Sequence, residues 1–181
     1  RQPRCMITDK PSSAEAYPLL TAVDHNSRLE EISIEPPSAK KVKLSYASDD
    51  SIVLKQVIER AKGGQQVLWI ENTVHEAQKL HETVSKALSG TAVEFGIIHS
   101  RFTVADREVN ERRWIDVLGN KSTTRAQRGR VLVGTQVLEQ SLDIDADFLV
   151  TRLCPTDMLL QRIGRLWRHA VTERPDGACC G

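Results

Sequence analysis

The stretch Val67-Leu68-Trp69-Ile70-Glu71-Asn72-Thr73-Val74-His75-Glu76-Ala77 opens on four apolar residues, turns polar for three, and then changes period. A short run that is apolar at every position is what a strand covered on both faces requires. Thr73 and Glu76 have the T-x-x-E spacing of a capping box, and Val74, Ala77, Leu80, Val84 and Leu88 fall on one stripe of the helix that follows. Upstream, Ser48-Asp49-Asp50 opens a helix whose Val53, Leu54, Val57, Ile58 and Ala61 share a face, stopped by Gly63-Gly64. Downstream the alternation continues. A strand is expected over 93–98, a second box at Thr103 and Asp106 leads a helix toward Leu118, and a polar loop spans 119–127. Strands over 130–134 and 147–151 and a helix over 156–163 complete the pattern. Strands alternating with helices of this length specify βαβ units, hence an α/β fold with a mainly parallel sheet.

With 181 residues, 40% of them hydrophobic, the chain can build one full-sized core, and 27% charge with ample apolar content excludes disorder as its main state. No apolar run approaches a membrane span and no signal peptide opens the chain, so it reads as a soluble protein without membrane contact. The net charge of +1 excludes a globally basic nucleic-acid binder. Between His99 and Arg130, however, eight basic side chains face four acidic ones, either a basic surface or an ordinary solvated face. Four cysteines without C-x-x-C spacing argue for a reducing compartment and against a zinc site. Residues 1–41, with prolines at 3, 11, 18, 36 and 37, read as an irregular arm or linker. Val42, Leu44 and Tyr46 alternate as a short half-buried strand would. Residues 42–170 form the main domain and 171–181 a truncated tail; both ends look cut from a longer protein.

In a parallel sheet, ligands sit beyond the carboxyl ends of the strands. The residues there are Glu71-Asn72-Thr73, His99-Ser100-Arg101, Thr135-Gln136 and Arg152. All can hydrogen-bond, which suits a phosphate-bearing ligand, although loops are polar in any case. Several motifs fail outright. Gly119-Asn120-Lys121-Ser122 lacks the glycines of a phosphate loop. His75-Glu76 begins H-E-x-x-H, but Lys79 stands at the second ligand position. His75 and His81 lie about 240° apart on a helix, too far round to share a metal. No metal site is expected.

Two segments carry more. The first runs Val131-Leu132-Val133-Gly134-Thr135-Gln136-Val137-Leu138-Glu139-Gln140-Ser141-Leu142-Asp143-Ile144-Asp145, and the second is Gln161-Arg162-Ile163-Gly164-Arg165-Leu166-Trp167-Arg168-His169. Arg162, Arg165 and Arg168 recur every three residues and step around one side of a helical turn. Guanidinium groups so close need an anion; a polyphosphate supplies one, and Gly164 would let it approach closely. A solvated basic helix end is the alternative.

In order, spacing and strand–loop context the pair resembles the fifth and sixth motifs of superfamily 2 helicases. T-Q-V-x-E-Q-S-L-D-x-D followed by Q-R-x-G-R-x-x-R-H looks most like the helicase–nuclease of type I CRISPR systems. His99-Ser100-Arg101-Phe102 with Asp106-Arg107, and Tyr17-Pro18-Leu19-Leu20 in the arm, are similar to that family as well. The resemblance implies a RecA-like three-layer α/β/α lobe, the second of two. Such lobes bind ATP in the cleft between them, and a single DNA strand crosses both. It implies Arg165 and Arg168 as arginine fingers on the γ-phosphate, Gln161 as a group positioning nucleotide or water, and Asp143 as acceptor for the ribose. Gly164 and Arg162 would complete the nucleotide side. Thr135, Gln136, Asn72, Thr73, His99 and Arg101 would hold the DNA backbone.

Simpler roles stand beside these. Thr73 caps a helix, Asp143 can pair with an arginine, Glu139 can orient Arg162, and Arg107 and Arg112 can face solvent. By the same resemblance, Mg2+ belongs to the full-length protein, with no ligands in this chain. The implied partners are a first lobe, a nuclease domain and a CRISPR surveillance complex, in prokaryotic cytoplasm. The lobe alone is expected to be inactive. An equivalent lobe acting on RNA or in repair would more usually carry His where Gln161 stands. A non-catalytic nucleic-acid-binding module would have no use for finger-spaced arginines.

Overall fold

A computed structural model describes residues 16–26, 28–36, 40–140, 142–169, 172–175 and 178. The chain divides into two compact units, residues 1–41 and 42–181. The first was expected to be irregular but contains a hairpin: β1 (Leu19–Val23) pairs antiparallel with β2 (Leu29–Ser33), Leu19 opposite Ser33 and Val23 opposite Leu29. Its turn is closed by the Asp24 carboxylate, which accepts from the amides of Asn26 and Arg28 at 2.9 and 2.8 Å. The prolines punctuate around the hairpin rather than within the two strands. The expected strand at Val42–Tyr46 does not form: Leu44 and Tyr46 are exposed and the segment has no ladder partner. Alternation without a neighbouring edge leaves the backbone groups to water.

The second unit is a three-layer α/β/α structure. Its helices and strands in chain order are α1 (Asp50–Lys62), β3 (Gln66–Ile70), α2 (Val74–Leu88), β4 (Glu94–Ile98) and α3 (Val104–Leu118). They continue with β5 (Arg130–Gly134), α4 (Val137–Gln140), β6 (Phe148–Thr151) and α5 (Thr156–Ile163). The strands run parallel in the order β4-β5-β3-β6. The expected polar loop holds one turn of 3-10 helix at Arg125–Gln127. Asp49, Thr73 and Thr103 cap α1, α2 and α3 by accepting from the amides of Ser51, Glu76 and Asp106.

The period-2 geometry of β3 explains its unbroken apolar run. Val67 and Trp69 enter the layer formed with Val57 and Ala61 of α1 and Ala77, Val84 and Leu88 of α2. Leu68 and Ile70 face Trp114 and Leu118 of α3 with Leu138, Leu142 and Ile144. Gly129, just before β5, packs so tightly against α1 that a Cβ there would lie 1.7 Å from the carbonyl oxygen of Ala61. The sheet is thus sealed on both faces, and its strand ends are what remains to meet a ligand.

Candidate functional site

The strand order places His99, Thr135, Glu71 and Arg152 in that sequence along the carboxyl edge, after β4, β5, β3 and β6. Thr135 is buried and its backbone is committed, its amide to Ile98 O and its carbonyl to the amide of Leu138. Gln136 is exposed directly after it. His99 is only 5% exposed, its ring stacked on Phe102 at 4.4 Å. Burial, with the Arg101 charge nearby, holds its pKa below the usual 6.5, so the neutral imidazole is favoured. Arg101 itself is exposed.

Asn72 donates to Leu153 O at 2.9 Å and accepts from Arg162 at 3.2 Å. Thr73 both accepts from the Glu76 amide and donates to the Glu76 carboxylate. Of the six residues assigned to the DNA backbone, His99 and Thr135 lie beneath the surface, while Asn72, Thr73, Arg101 and Gln136 are exposed on that edge, the side chains of Asn72 and Thr73 each already hydrogen-bonded within the lobe.

Between them, Glu71 is buried and accepts from Trp69 Nε1 at 3.0 Å and from Arg152 Nε at 2.8 Å. Arg152 reaches on to Asp50 through two bonds of 2.7 and 2.6 Å. Asp50 and Glu71 keep its guanidinium firmly protonated.

The three arginines of the last motif have three different environments. Arg162 is fully buried: Nε meets Glu139 Oε1 at 2.7 Å, and Nη1 meets Thr151 Oγ1 at 2.6 Å. Its donors tie α5 to α4, β6 and the end of β3, so in this structure they are spent within the lobe. Glu139 orients it. Arg165 is 8% exposed and donates to the carbonyls of Leu142 and Glu139. Among the described residues no carboxylate bonds it; burial first, and the Arg168 charge second, press its pKa downward. Arg168 is exposed, its Nε 2.7 Å from Asp143 Oδ1.

Asp143 accepts also from His169 Nε2 at 3.1 Å. Slight burial opposes its ionised form, but these two partners win and hold its pKa below 3.8. Gln161 and Gly164 are exposed at the end of α5. Gly164 has an ordinary helical backbone, with φ of −60°, so its own conformation does not demand glycine.

The opposite, amino edge of the sheet holds a second set of charges that the sequence reading passed over. Asp147 accepts from the Gln66 amide at 2.7 Å, from Arg125 at 2.8 Å and from Arg174 at 2.5 Å. Arg130 meets Glu94 at 2.9 Å. The alternation Asp143-x-Asp145-x-Asp147 was the available signal, its last two carboxylates being the buried ones that need cationic partners. An open hollow of about 550 Å3 on this side is lined by Glu94, Arg113, Arg128 and Arg130 among others. It is remote from the strand-end surface, and two of its arginines already bond Glu94, so it adds nothing to the site. Among the described residues no group of three or more His, Cys, Asp or Glu side chains is placed to hold a metal ion.

Residues 63–171 match the family model described as CRISPR-associated nuclease/helicase Cas3, C-terminal. The CRISPR-associated endonuclease/helicase Cas3 of Escherichia coli K12 is 37% identical over 182 aligned residues, covering 94% of this chain and 20% of the relative. The crystal structure of T. fusca Cas3 with ATP superposes with a TM-score of 0.76 at 30% identity, over 99% of this chain and 22% of that one. A chain of a CRISPR RNA-guided surveillance complex in a pre-nicking state gives a TM-score of 0.71 at 28% identity, over 95% and 23%. This chain thus spans about one fifth of the length of these proteins.

Proposed function

The chain belongs to the Cas3 family of CRISPR-associated nuclease/helicases, as its second RecA-like helicase lobe, and from that premise we propose that it serves as one half of an ATP-driven motor translocating on single-stranded DNA in CRISPR interference. The observation that carries this reading is Arg168: a guanidinium on the surface, held through its side chain by a half-exposed carboxylate. Exposed pairs of this kind are worth about 0–1 kcal/mol, so a triphosphate presented by a facing first lobe can take the arginine over. ATP would supply the phosphoryl group whose developing charge the arginines neutralise.

Arg165 would follow by leaving the carbonyls of Glu139 and Leu142, an exchange favoured because phosphate oxygens bind guanidinium better than neutral carbonyls do. Asp143, released by Arg168 and still bonded to His169, would accept from the ribose. Gln161, exposed near the end of α5, would position nucleotide or water. On the strand edge, Thr73, Arg101 and Gln136 would hold the DNA backbone. Contacts of this type grip phosphates rather than bases, giving weak, salt-sensitive binding without sequence preference. Arg162 acts within the lobe, fixing α5 so that the arginines beyond it start from a rigid helix.

A motor built this way needs a first lobe for the triphosphate and its magnesium, so the chain by itself should not hydrolyse ATP. The assembled protein would work with a nuclease domain and a surveillance complex, in the prokaryotic cytoplasm; the T. fusca relative bound to ATP and the relative within a surveillance complex support this. Residues 1–41 would serve as the connection between lobes and 171–181 as the lead into a further region.

The test is reconstitution. The chain alone should show no ATPase activity with single-stranded DNA, and adding a separately produced first lobe should restore it. Arg168→Ala and Arg165→Ala should each then lower turnover by roughly 10³-fold or more, as removal of arginine fingers does. Turnover by the chain alone, or unimpaired turnover in both variants, would refute the reading. Failure of the first lobe to restore any activity would favour a non-catalytic binding module instead.

A further inference from the structure

Arg174 belongs to none of the motifs above, yet its guanidinium is the centre of a buried knot. Nη2 lies 2.8 Å from Asp145 Oδ2 and Nη1 lies 2.5 Å from Asp147 Oδ1. The group stacks on Trp167, 4.1 Å from the ring centroid. Both carboxylates are fully buried, and Arg174 is 9% exposed.

Trp167 has a positive φ of 49°, which places it in the left-handed region and turns the chain sharply between Arg165 and Arg168. That turn is pinned at three points. Arg165 O accepts from the amide of Ala146, the amide of Trp167 donates to Ala146 O, and the amide of Arg168 donates to Asp145 Oδ1 at 2.9 Å. The last of these depends on where the Asp145 carboxylate is held, and Arg174 holds its other oxygen.

We propose that Arg174 is a positioning residue for the finger segment: by bridging Asp145 to Asp147 and packing on Trp167, it fixes the carboxylate that anchors the Arg168 backbone and so the direction in which Arg168 leaves it. The functional half of this rests on Arg168 being a finger; the structural half does not. A bidentate fork spanning two carboxylates while stacking on an indole is a task for guanidinium, and an ammonium replaces only its charge. Removing Arg174 need not unfold the lobe, because Arg125 also bonds Asp147 and lies 4.0 Å from Asp145.

The experiment has two arms and uses Arg174→Ala and Arg174→Lys, with Arg113→Ala, a surface partner of Glu94, as control. In the chain itself, hydrogen exchange read at single amides should show the Arg168 amide exchanging at least about tenfold faster in Arg174→Ala, and by a smaller factor in Arg174→Lys. The amides of Val131 to Val133 should be unchanged in all three, and Arg113→Ala should behave as wild type. In the two-lobe assembly, Arg174→Ala should lower kcat by about 10–100-fold with little change in KM, the signature of a misplaced group rather than lost substrate binding.

Wild-type exchange at Arg168 in folded Arg174→Ala overturns the proposal, as does an unchanged kcat where Arg168→Ala abolishes turnover. If Arg168→Ala is itself harmless, the finger reading fails while the exchange result still decides the anchoring. Should Arg174→Ala not fold, Arg174→Lys is read in its place, and full wild-type behaviour there refutes the need for the fork.

Discussion

Arg125 and Arg130 at the amino end of the parallel sheet and Arg101 at its carboxyl end are spent in opposite ways. At the amino edge, Arg125 and Arg130 are 5% and 2% exposed and wholly turned inward, onto Asp147 and onto Glu94 with backbone carbonyls of residues 124–128. At the carboxyl edge, Arg101 stands in solvent beside exposed Thr73 and Gln136. All three arginines belong to one run of chain, and a count of charges treats them alike. Of the eight basic residues between His99 and Arg130, Arg125 and Arg130 are turned inward and Arg107 and Arg113 are paired on the surface with Glu111 and Glu94, so a count of charges overstates the basic surface. One edge is a lock and the other a landing.

This contrast can be broken by substitution. The largest effect is expected at Asp147, whose loss strands Arg125, Arg174 and the Gln66 amide: Asp147→Ala should cost about 3–5 kcal/mol in urea denaturation. A loss under about 1 kcal/mol would mean that the amino edge is not a lock. Gly129→Ala, on the same edge, forces a Cβ into the Ala61 carbonyl and should cost about 1–3 kcal/mol or somewhat more, with α1 displaced. On the carboxyl edge, Thr73→Ala removes a helix cap and should cost only about 1 kcal/mol. Thermal melting resolves that difference.

Acid should reach the two shielded histidines first. His81 and His99 are held below 6.5 mainly by burial, so an unfolded chain takes up protons that the folded one refuses. Their contribution to stability is full above pH 6.5 and is lost as pH falls below it toward their folded values. Glu94 is partly buried, but Arg113 and Arg130 hold its pKa below 4.5, so its contribution survives until pH falls from that value through the lower folded one. Stability measured against pH should thus fall in two stages, and His99→Gln should weaken the first alone. The smallest change in stability is expected for Arg101→Ala, within about 0.5 kcal/mol as for surface positions in general. The same variant should weaken binding of single-stranded oligonucleotides and reduce its salt dependence by roughly one phosphate contact, with no change in sequence preference. Unaltered binding would take the landing away from this edge.

The fold was legible because it follows from periodicity. The apolar run at Val67–Ile70, the T-x-x-E box at Thr73 and the stripe to Leu88 specify a βα unit locally, and α5 begins and ends where its pattern says. The hairpin at Leu19–Val23 and Leu29–Ser33 was hidden because two short strands depend on one turn carboxylate rather than on a long pattern. The segment at Val42–Tyr46 misled for the converse reason: alternation is necessary for a half-buried strand but does not supply a neighbour. In the site, the spacing of Arg162, Arg165 and Arg168 was visible and their fates were not. Arg162 is sealed against Glu139, Arg165 rests on carbonyls and Arg168 meets Asp143 on the surface.

What the chain of residues determined by itself was the succession of strands and helices, the identity of the motifs and hence the family, because these depend on neighbours within a few positions. Which charges are spent inside the lobe and which are left to meet a ligand was decided only by tertiary structure. A guanidinium finds its partner across 23 residues, as Arg162 finds Glu139, or 64, as Arg130 finds Gln66, and no local pattern encodes an encounter at that separation.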